Sequence, residues 1–147
     1  MLVTMVLGAA AVDLDFSVNV TTGSTGTIRG GAGGQADTAA GAKLAIMTTK
    51  VVAGGGPNFV EPVGCITTPG QTVDVVVTEL GVAVNPLRAE LSDRLRAAGI
   101  RTTSIQELCA AASRMQAPRP PARAEGRIVA VPEYRDGSVI GDVGAAA

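Results

Sequence analysis

Histidine is missing from this 147-residue sequence. That absence removes Ser-His-Asp and Cys-His nucleophile systems, and histidine-containing zinc sites, as local explanations of function. Any chemistry here must run on carboxylates, amides and backbone groups. Aromatics are almost as scarce, at 2%: Phe16, Phe59 and Tyr134. The core is therefore built from Val, Ile, Leu and Ala, which bury less area per side chain than rings do. The two cysteines, Cys65 and Cys109, are too far apart for metal-ligand spacing and too few for a disulfide framework, which points to a reducing, cytoplasmic compartment. No long run of like charge occurs and the formal net charge is −1, so neither a nucleic-acid nor a membrane-surface footprint is expected. Long apolar runs are lacking too. Met1 to Ala11 imitates a signal peptide, but the first positive side chain is Arg29, and the run is too short to span a bilayer. It is predicted to be a strand.

What is present is glycine, 19 residues, within a chain that is 46% hydrophobic. A small-residue core with many glycines suits closely packed α/β layers. Leu2 to Leu7, apolar except for Thr4, predicts a strand buried on both faces. Phe16 to Thr22 predicts a second strand, ended by Thr22-Gly23-Ser24-Thr25-Gly26. A glycine-dense loop, Gly30-Gly31-Ala32-Gly33-Gly34-Gln35-Ala36-Asp37-Thr38, leads into a short helical stretch through Ala42. Further strands are expected over Lys43 to Thr49 and Thr72 to Thr78, with an extended stretch over Phe59 to Thr68 and turns at Gly54-Gly55-Gly56-Pro57 and Pro69-Gly70. Asn85-Pro86 starts a helix carrying Leu87, Leu91 and Leu95, ended by Gly99. A second helix starts at Ser104, where Glu107 completes a capping box. Ala117 to Ala122 is a stiff proline-rich linker, and Asp136-Gly137 lies between two strands as a hairpin turn. The fold class is α/β, a largely parallel sheet with flanking helices and a C-terminal β-hairpin. Domain boundaries follow: 1–115 an α/β unit, 116–126 the linker, 127–143 the hairpin, 144–147 a tail.

The glycine loop leaves backbone N–H groups unshielded by side chains, and a helix start after it would make an anion or oxyanion site. A tight turn with Asp37 as the helix N-cap is the alternative reading, and spacing alone leaves both open. Gly31-Ala32-Gly33-Gly34-Gln35-Ala36 also fits a dinucleotide fingerprint. It lacks the strand immediately before it and the acidic residue about 20 positions on that the fingerprint requires. Asp13 and Asp15 read as a solvated turn rather than an acid/base pair. Cys65, with no basic neighbour in sequence, reads as buried packing. Glu79 reads as a polar strand terminus, and Lys43 either reaches a phosphate or merely flanks the sheet.

Four ordered blocks then resemble one family: Val6-Leu7-Gly8-Ala9 with Val12-Asp13; Gly33-Gly34-Gln35-Ala36-Asp37 with Gly41-Ala42-Lys43; Cys65-Ile66-Thr67-Thr68-Pro69-Gly70; and Val73-Asp74-Val75-Val76-Val77-Thr78-Glu79-Leu80. Together they look like the later half of a coenzyme A-transferase fold, of the NagB/RpiA-like kind. Phe16-Ser17-Val18-Asn19-Val20, Val82-Ala83-Val84-Asn85-Pro86-Leu87-Arg88 and Val131-Pro132-Glu133-Tyr134-Arg135-Asp136-Gly137 are similar to citrate lyase alpha chains in particular. The resemblance implies a citrate CoA-transferase that exchanges acetyl for citryl on an acyl carrier protein. The coenzyme-A-like thioester group of that carrier is a substrate, with no permanently bound cofactor and no metal. It implies citrate, a lyase beta chain and the carrier (gamma) chain as partners, and an oligomeric assembly. Site residues implied for the substrate thioester are Gly31, Gly33, Gly34, Gln35, Asp37 and Asn19, with Lys43 for the coenzyme phosphate. Members usually carry His where this chain has Gln35, so proton handling there is replaced by hydrogen bonding. The catalytic residue is expected upstream of this stretch, which makes the sequence an incomplete copy of the fold. An isolated chain of this kind is expected to be marginally stable, aggregation-prone, or oligomeric through an exposed sheet edge.

Overall fold

A computed structural model describes residues 2–23, 26–116 and 127–145. The strands are β1 (Leu2–Gly8), β2 (Ala11–Val12), β3 (Val18–Asn19), β4 (Ala42–Thr48), β5 (Val52–Ala53), β6 (Gly56–Pro57), β7 (Val75–Val77), β8 (Val82–Val84), β9 (Ile128–Ala130) and β10 (Val143–Gly144). The helices are α1 (Gln35–Gly41), α2 (Ala89–Ala97) and α3 (Ile105–Met115), with 3-10 turns at Gly70–Thr72 and Pro86–Arg88. The main sheet has the order β1-β4-β7-β8. β1 and β7 both run parallel to β4, and β8 returns antiparallel to β7, which makes it the mostly parallel α/β sheet that the sequence predicts. The linker predicted at Ala117 to Ala122 lies outside the described residues.

Side chains alternate across a strand, and the register shows which set faces the core. Met5 stands opposite Ala45, Met47 opposite Val76, and Val76 opposite Ala83. All five are buried. Against this inner face pack α1 through Ala39, α3 through Ile105, Leu108 and Ala112, and a loop layer carrying Val12, Phe16, Val18 and Phe59. Two rings supply most of the bulk of that layer, as the scarcity of aromatics requires.

The loop layer depends on one close approach. A Cβ on Gly70 would lie 1.8 Å from the Asp15 carbonyl oxygen and 2.8 Å from the Phe16 carbonyl carbon. Phe16 itself adopts φ 64° at the end of the Asp13–Ser17 turn. Only glycine at position 70 lets the two backbones meet there.

Several expectations need correction. β1 forms as predicted but is not buried on both faces: only Met5 is inside, while Val3 is 61% and Val6 57% exposed. Among the described residues it lies at the end of the sheet and pairs on one side only, and none of them supplies the cover presumed for an apolar strand. The strand predicted over Phe16 to Thr22 shrinks to Val18–Asn19, because Phe16 is in the left-handed region and Asn19 folds its side chain onto the Thr22 backbone. Val82–Val84 pairs with β7 across a turn closed by the Thr78 hydroxyl, which donates to the Gly81 carbonyl at 3.0 Å. That strand is too short to announce itself as one. The Asn85 N-cap forms, its side chain accepting from the Leu87 N–H at 3.0 Å, but the first turn is 3-10 and α2 begins at Ala89. The hairpin at Asp136-Gly137 is present, with Gly137 at φ 84°.

Candidate functional site

The glycine loop lies where the parallel strands end. β1 finishes at Gly8 and β4 at Thr48, and the Ala9 N–H donates to the Thr48 carbonyl at 3.0 Å. Because α1 runs directly into β4, its N-terminus is at that same end of the sheet. Gln35, the first helical residue, is buried, and its side-chain Nε2 reaches the Gly8 carbonyl and the Met47 sulfur, each at 3.4 Å. The loop is thereby fixed to the C-terminal edge of β1 and β4, the general place for ligands in open α/β sheets.

Gly33 takes φ +54°, a value side chains rarely adopt, and Gly34 is the residue preceding the helix at φ −90°. A Cβ on Gly33 would meet nothing within 4 Å, and one on Gly34 only the Thr38 hydroxyl at 3.8 Å. Gly31, Gly33 and Gly34 are exposed. Among the described residues no acceptor takes the Gly33 or Gly34 N–H. The loop therefore presents free donors on an open backbone. Thr38 closes its inner side, its N–H donating to the Gly34 carbonyl at 2.9 Å and its hydroxyl to the same oxygen.

Asp37 does not cap the helix. The N-cap is Gly34 and makes no side-chain bond, while Asp37 lies in the first turn, largely exposed, with the Arg135 Nε 3.8 Å away. This pair brings the C-terminal hairpin alongside the loop. Asn19 is close in the fold, since its carbonyl accepts from the Ala10 N–H at 3.0 Å. Its side chain is already occupied: Nδ2 donates to the Thr22 carbonyl and hydroxyl, and Oδ1 accepts from the Thr21 and Thr22 N–H groups. It supports the strand end as a structural clamp. Lys43 is not brought to the loop. It begins β4, while Met47, beside Gln35, nearly ends it, so about 13 Å of strand separates the two.

Carboxylates elsewhere serve the backbone. Asp13 is buried, which corrects the solvated-turn reading, and it accepts from the Ser17 N–H at 2.9 Å and the Asp15 N–H at 3.0 Å. Burial pushes its carboxyl above the ordinary aspartate value against the opposing pull of those N–H groups. Glu79 accepts from the Val51 N–H at 3.0 and 3.1 Å, a clamp between loops. Cys65 is buried and its thiol is pushed up by desolvation, as a packing cysteine should be.

Asp74 is the buried acid that sequence reasoning passed over. It is 2% exposed, accepts from the Ala45 N–H at 2.7 Å and holds the Arg88 Nε. Its signal was available: a lone carboxylate inside Val73-Asp74-Val75-Val76-Val77 demands a partner. Among the described residues no group of His, Cys, Asp and Glu is placed to hold a metal ion, and no helix is long and apolar enough to cross a membrane.

The family model for the citrate lyase alpha subunit matches residues 1–145. The chain belongs to the citrate lyase alpha subunit family. It is 50% identical to the citrate lyase alpha chain of Klebsiella pneumoniae and 46% identical to that of Escherichia coli, over 92% of this chain in each case. A crystal structure assigned to the alpha subunit of citrate lyase, in complex with citrate, from Streptococcus mutans superimposes with a TM-score of 0.94 at 42% identity over 99% of this chain. The chain spans only 27% of those two curated alpha chains and 28% of the crystallised one. As a citrate lyase alpha homologue it is thus a fragment-sized match that keeps its part of the fold closely.

Proposed function

We propose that this chain supplies the thioester-facing glycine loop of a citrate–acyl-carrier transferase, the alpha component of a cytoplasmic citrate lyase, on a NagB/RpiA-like coenzyme A-transferase fold. The observation that carries the reading is the exposed Gly33-Gly34 donor pair fixed by Gln35 to the ends of β1 and β4. A citrate carboxylate attacks the acetyl thioester carbonyl of the carrier's coenzyme-A-like group, forming a C–O bond as the C–S bond breaks. The thiolate then attacks the citryl carbonyl of the mixed anhydride and acetate leaves. Atoms and charge balance without a net proton or electron. Each attack puts negative charge on a carbonyl oxygen, and the free N–H groups of Gly33 and Gly34 are donors suited to that oxygen. Gln35 anchors the loop and moves no proton. The beta chain and the acyl carrier (gamma) chain are the partners this role requires, and any further catalytic side chain falls to the share of the alpha subunit that this chain does not span.

The test is acetate release from acetyl-carrier on adding citrate, with this chain complemented by the remaining part of a relative's alpha subunit. The 147-residue polypeptide by itself should give no release. Once complemented, Gly34→Val should lower turnover about 100- to 1,000-fold, because its side chain blocks the approach of the thioester to the backbone N–H groups and so takes an oxyanion donor out of reach. Gly34 has ordinary φ and open space around it, so the variant should fold normally. Unchanged turnover in Gly34→Val would make the loop a structural turn.

A further inference from the structure

The C-terminal hairpin is held in place without help from its ion pair. A Cβ on Gly141 would lie 3.2 Å from the Ile66 backbone nitrogen and 3.5 Å from its carbonyl oxygen, so the two backbones meet there. Val143 is buried, and the Ile140 N–H donates to the Pro132 carbonyl at 3.1 Å. The turn itself is tied as well. The Tyr134 N–H donates to the Ser138 carbonyl at 2.7 Å and the Gly137 N–H to the Tyr134 carbonyl at 2.9 Å. Asp136 accepts from the Ser138 N–H at 2.9 Å and from its hydroxyl at 2.6 Å. Arg135 projects from this fixed turn with its side chain 52% exposed and its Nε 3.8 Å from the Asp37 carboxylate. An exposed pair at that separation adds little stability. What it gives is placement. Helical side chains lean toward the N-terminus of their helix, so Asp37, one turn past Gly34, holds the guanidinium on the loop side of α1. Among the described residues no hydrogen bond uses either Arg135 Nη, and neither Glu133 nor Asp136 is ion-paired with it.

We infer that Arg135 selects the acid that enters the reaction: its two Nη groups grip a carboxylate of citrate other than the one that attacks, while the Gly33 and Gly34 N–H groups face the thioester carbonyl. Asp37 is a positioning residue, holding Nε so that the fork of terminal nitrogens stays free. Citrate brings three carboxylates and uses one as the nucleophile. The others carry negative charge toward a carbonyl oxygen on which more negative charge develops, and like charges at such distances repel strongly unless a cation stands between them. A planar guanidinium with both terminal nitrogens free takes a carboxylate through two parallel hydrogen bonds, whereas a lysine offers a point charge. Acetate, the acid that leaves, has no second carboxylate, so the same contact separates the entering acid from the departing one. The inference rests on the transferase reading for the identity of the acid.

The experiment uses the full chain complemented by the remaining part of the Streptococcus mutans alpha subunit. Citrate and acetate binding are measured by ligand-observed NMR without carrier, and then KM for citrate and for acetyl-carrier. Arg135→Gln should weaken citrate binding and raise its KM about 10- to 100-fold, the loss expected for hydrogen bonds to a charged group. Acetate binding and the KM for acetyl-carrier should stay as they were. Arg135→Lys should recover part of the citrate affinity, and it serves if the glutamine variant misfolds. Asp37→Asn should weaken citrate binding less than Arg135→Gln does. Arg101→Gln, which removes the same charge from the exposed connection between α2 and α3, should leave citrate binding unchanged. The inference is overturned if the complemented protein binds no citrate at millimolar concentration, or if Arg135→Gln leaves citrate binding intact. Equal losses for citrate and acetate would overturn it too, and so would a rise confined to the KM for acetyl-carrier, which would assign Arg135 to the carrier's phosphate. Citrate binding that depends on Arg135, with no acetate released, would sink the transferase reading and leave the grip standing.

Discussion

α2 and α3 read almost alike as sequence: each has a capping signal, an aliphatic repeat at helical spacing and charged residues between. In the fold they differ. α3 buries Ile105, Leu108 and Ala112 against the inner sheet face and β8, whereas α2 buries nothing and Leu87, in the 3-10 turn before it, is 72% exposed. Amphipathic periodicity marks which face of a helix wants cover. It does not say whether the covering surface is in the same stretch of chain. α3 finds its partner within the chain, and α2 leaves every one of its residues at least partly exposed.

The largest test of this contrast is a pair of truncations. Leu108→Ala should destabilise the chain by about 2–5 kcal/mol, the usual range for a buried leucine. Leu91→Ala should stay within about 0.5 kcal/mol, as for a surface position. Urea denaturation of both variants measures the difference; equal losses would mean that α2 is packed after all. A smaller effect sharpens the contrast at the helix starts. The Ser104 hydroxyl accepts from the Glu107 N–H at 3.1 Å while Glu107 reaches back to the Ser104 N–H at 2.8 Å. Ser104→Ala should cost about 1 kcal/mol, read by the same denaturation.

The smallest effect depends on pH. The Ser104 N–H, then the Thr103 and Ser104 hydroxyls, hold the Glu107 carboxyl below its ordinary value of 4.5. A depressed carboxylate contributes stability that is complete above the unfolded value and is lost as pH falls through the folded one. The first turn of α3 should therefore loosen on acidification below about pH 4.5, visible in the carbon chemical shifts of Ile105 to Leu108. Glu107→Gln should abolish that response. The 3-10 turn that leads into α2 is capped by the Asn85 amide, which has no such titration, so its shifts should not follow.

How much was legible follows from which interactions are local. The capping box of α3, the Asn85 cap, the Asp136-Gly137 turn and the parallel α/β character all rest on near neighbours or on periodicity, and the sequence carries them openly. The glycine loop and its helix were readable as an ordered block, and so was the following strand. Which residue caps α1 was not: Asp37 is a good N-cap type, but the chain enters the helix three residues earlier, at Gly34. The position of Lys43 was recoverable, because a helix leading straight into a strand puts the strand's first residues at the far end of the sheet from the helix start. Periodicity alone does not give the exposure of β1, since its apolar residues are the same whether or not a neighbour covers them; the exposed sheet edge was expected from the family resemblance instead. The burial of Asp13 depends on the Val63 segment crossing over it, a contact 50 residues away in sequence.

The pairing of β1 with β4 also sets a schedule. Leu2 is opposite Ala42, so β1 leaves the ribosome 40 residues ahead of the strand it pairs with. At a synthesis rate of about 5–20 residues per second that lead is roughly 2–8 s. Helices and hairpins form in microseconds, so α1 is ready almost as soon as it is made, while the apolar β1 goes without β4 for seconds. During biosynthesis, β1 is the segment a holding chaperone has both reason and time to bind.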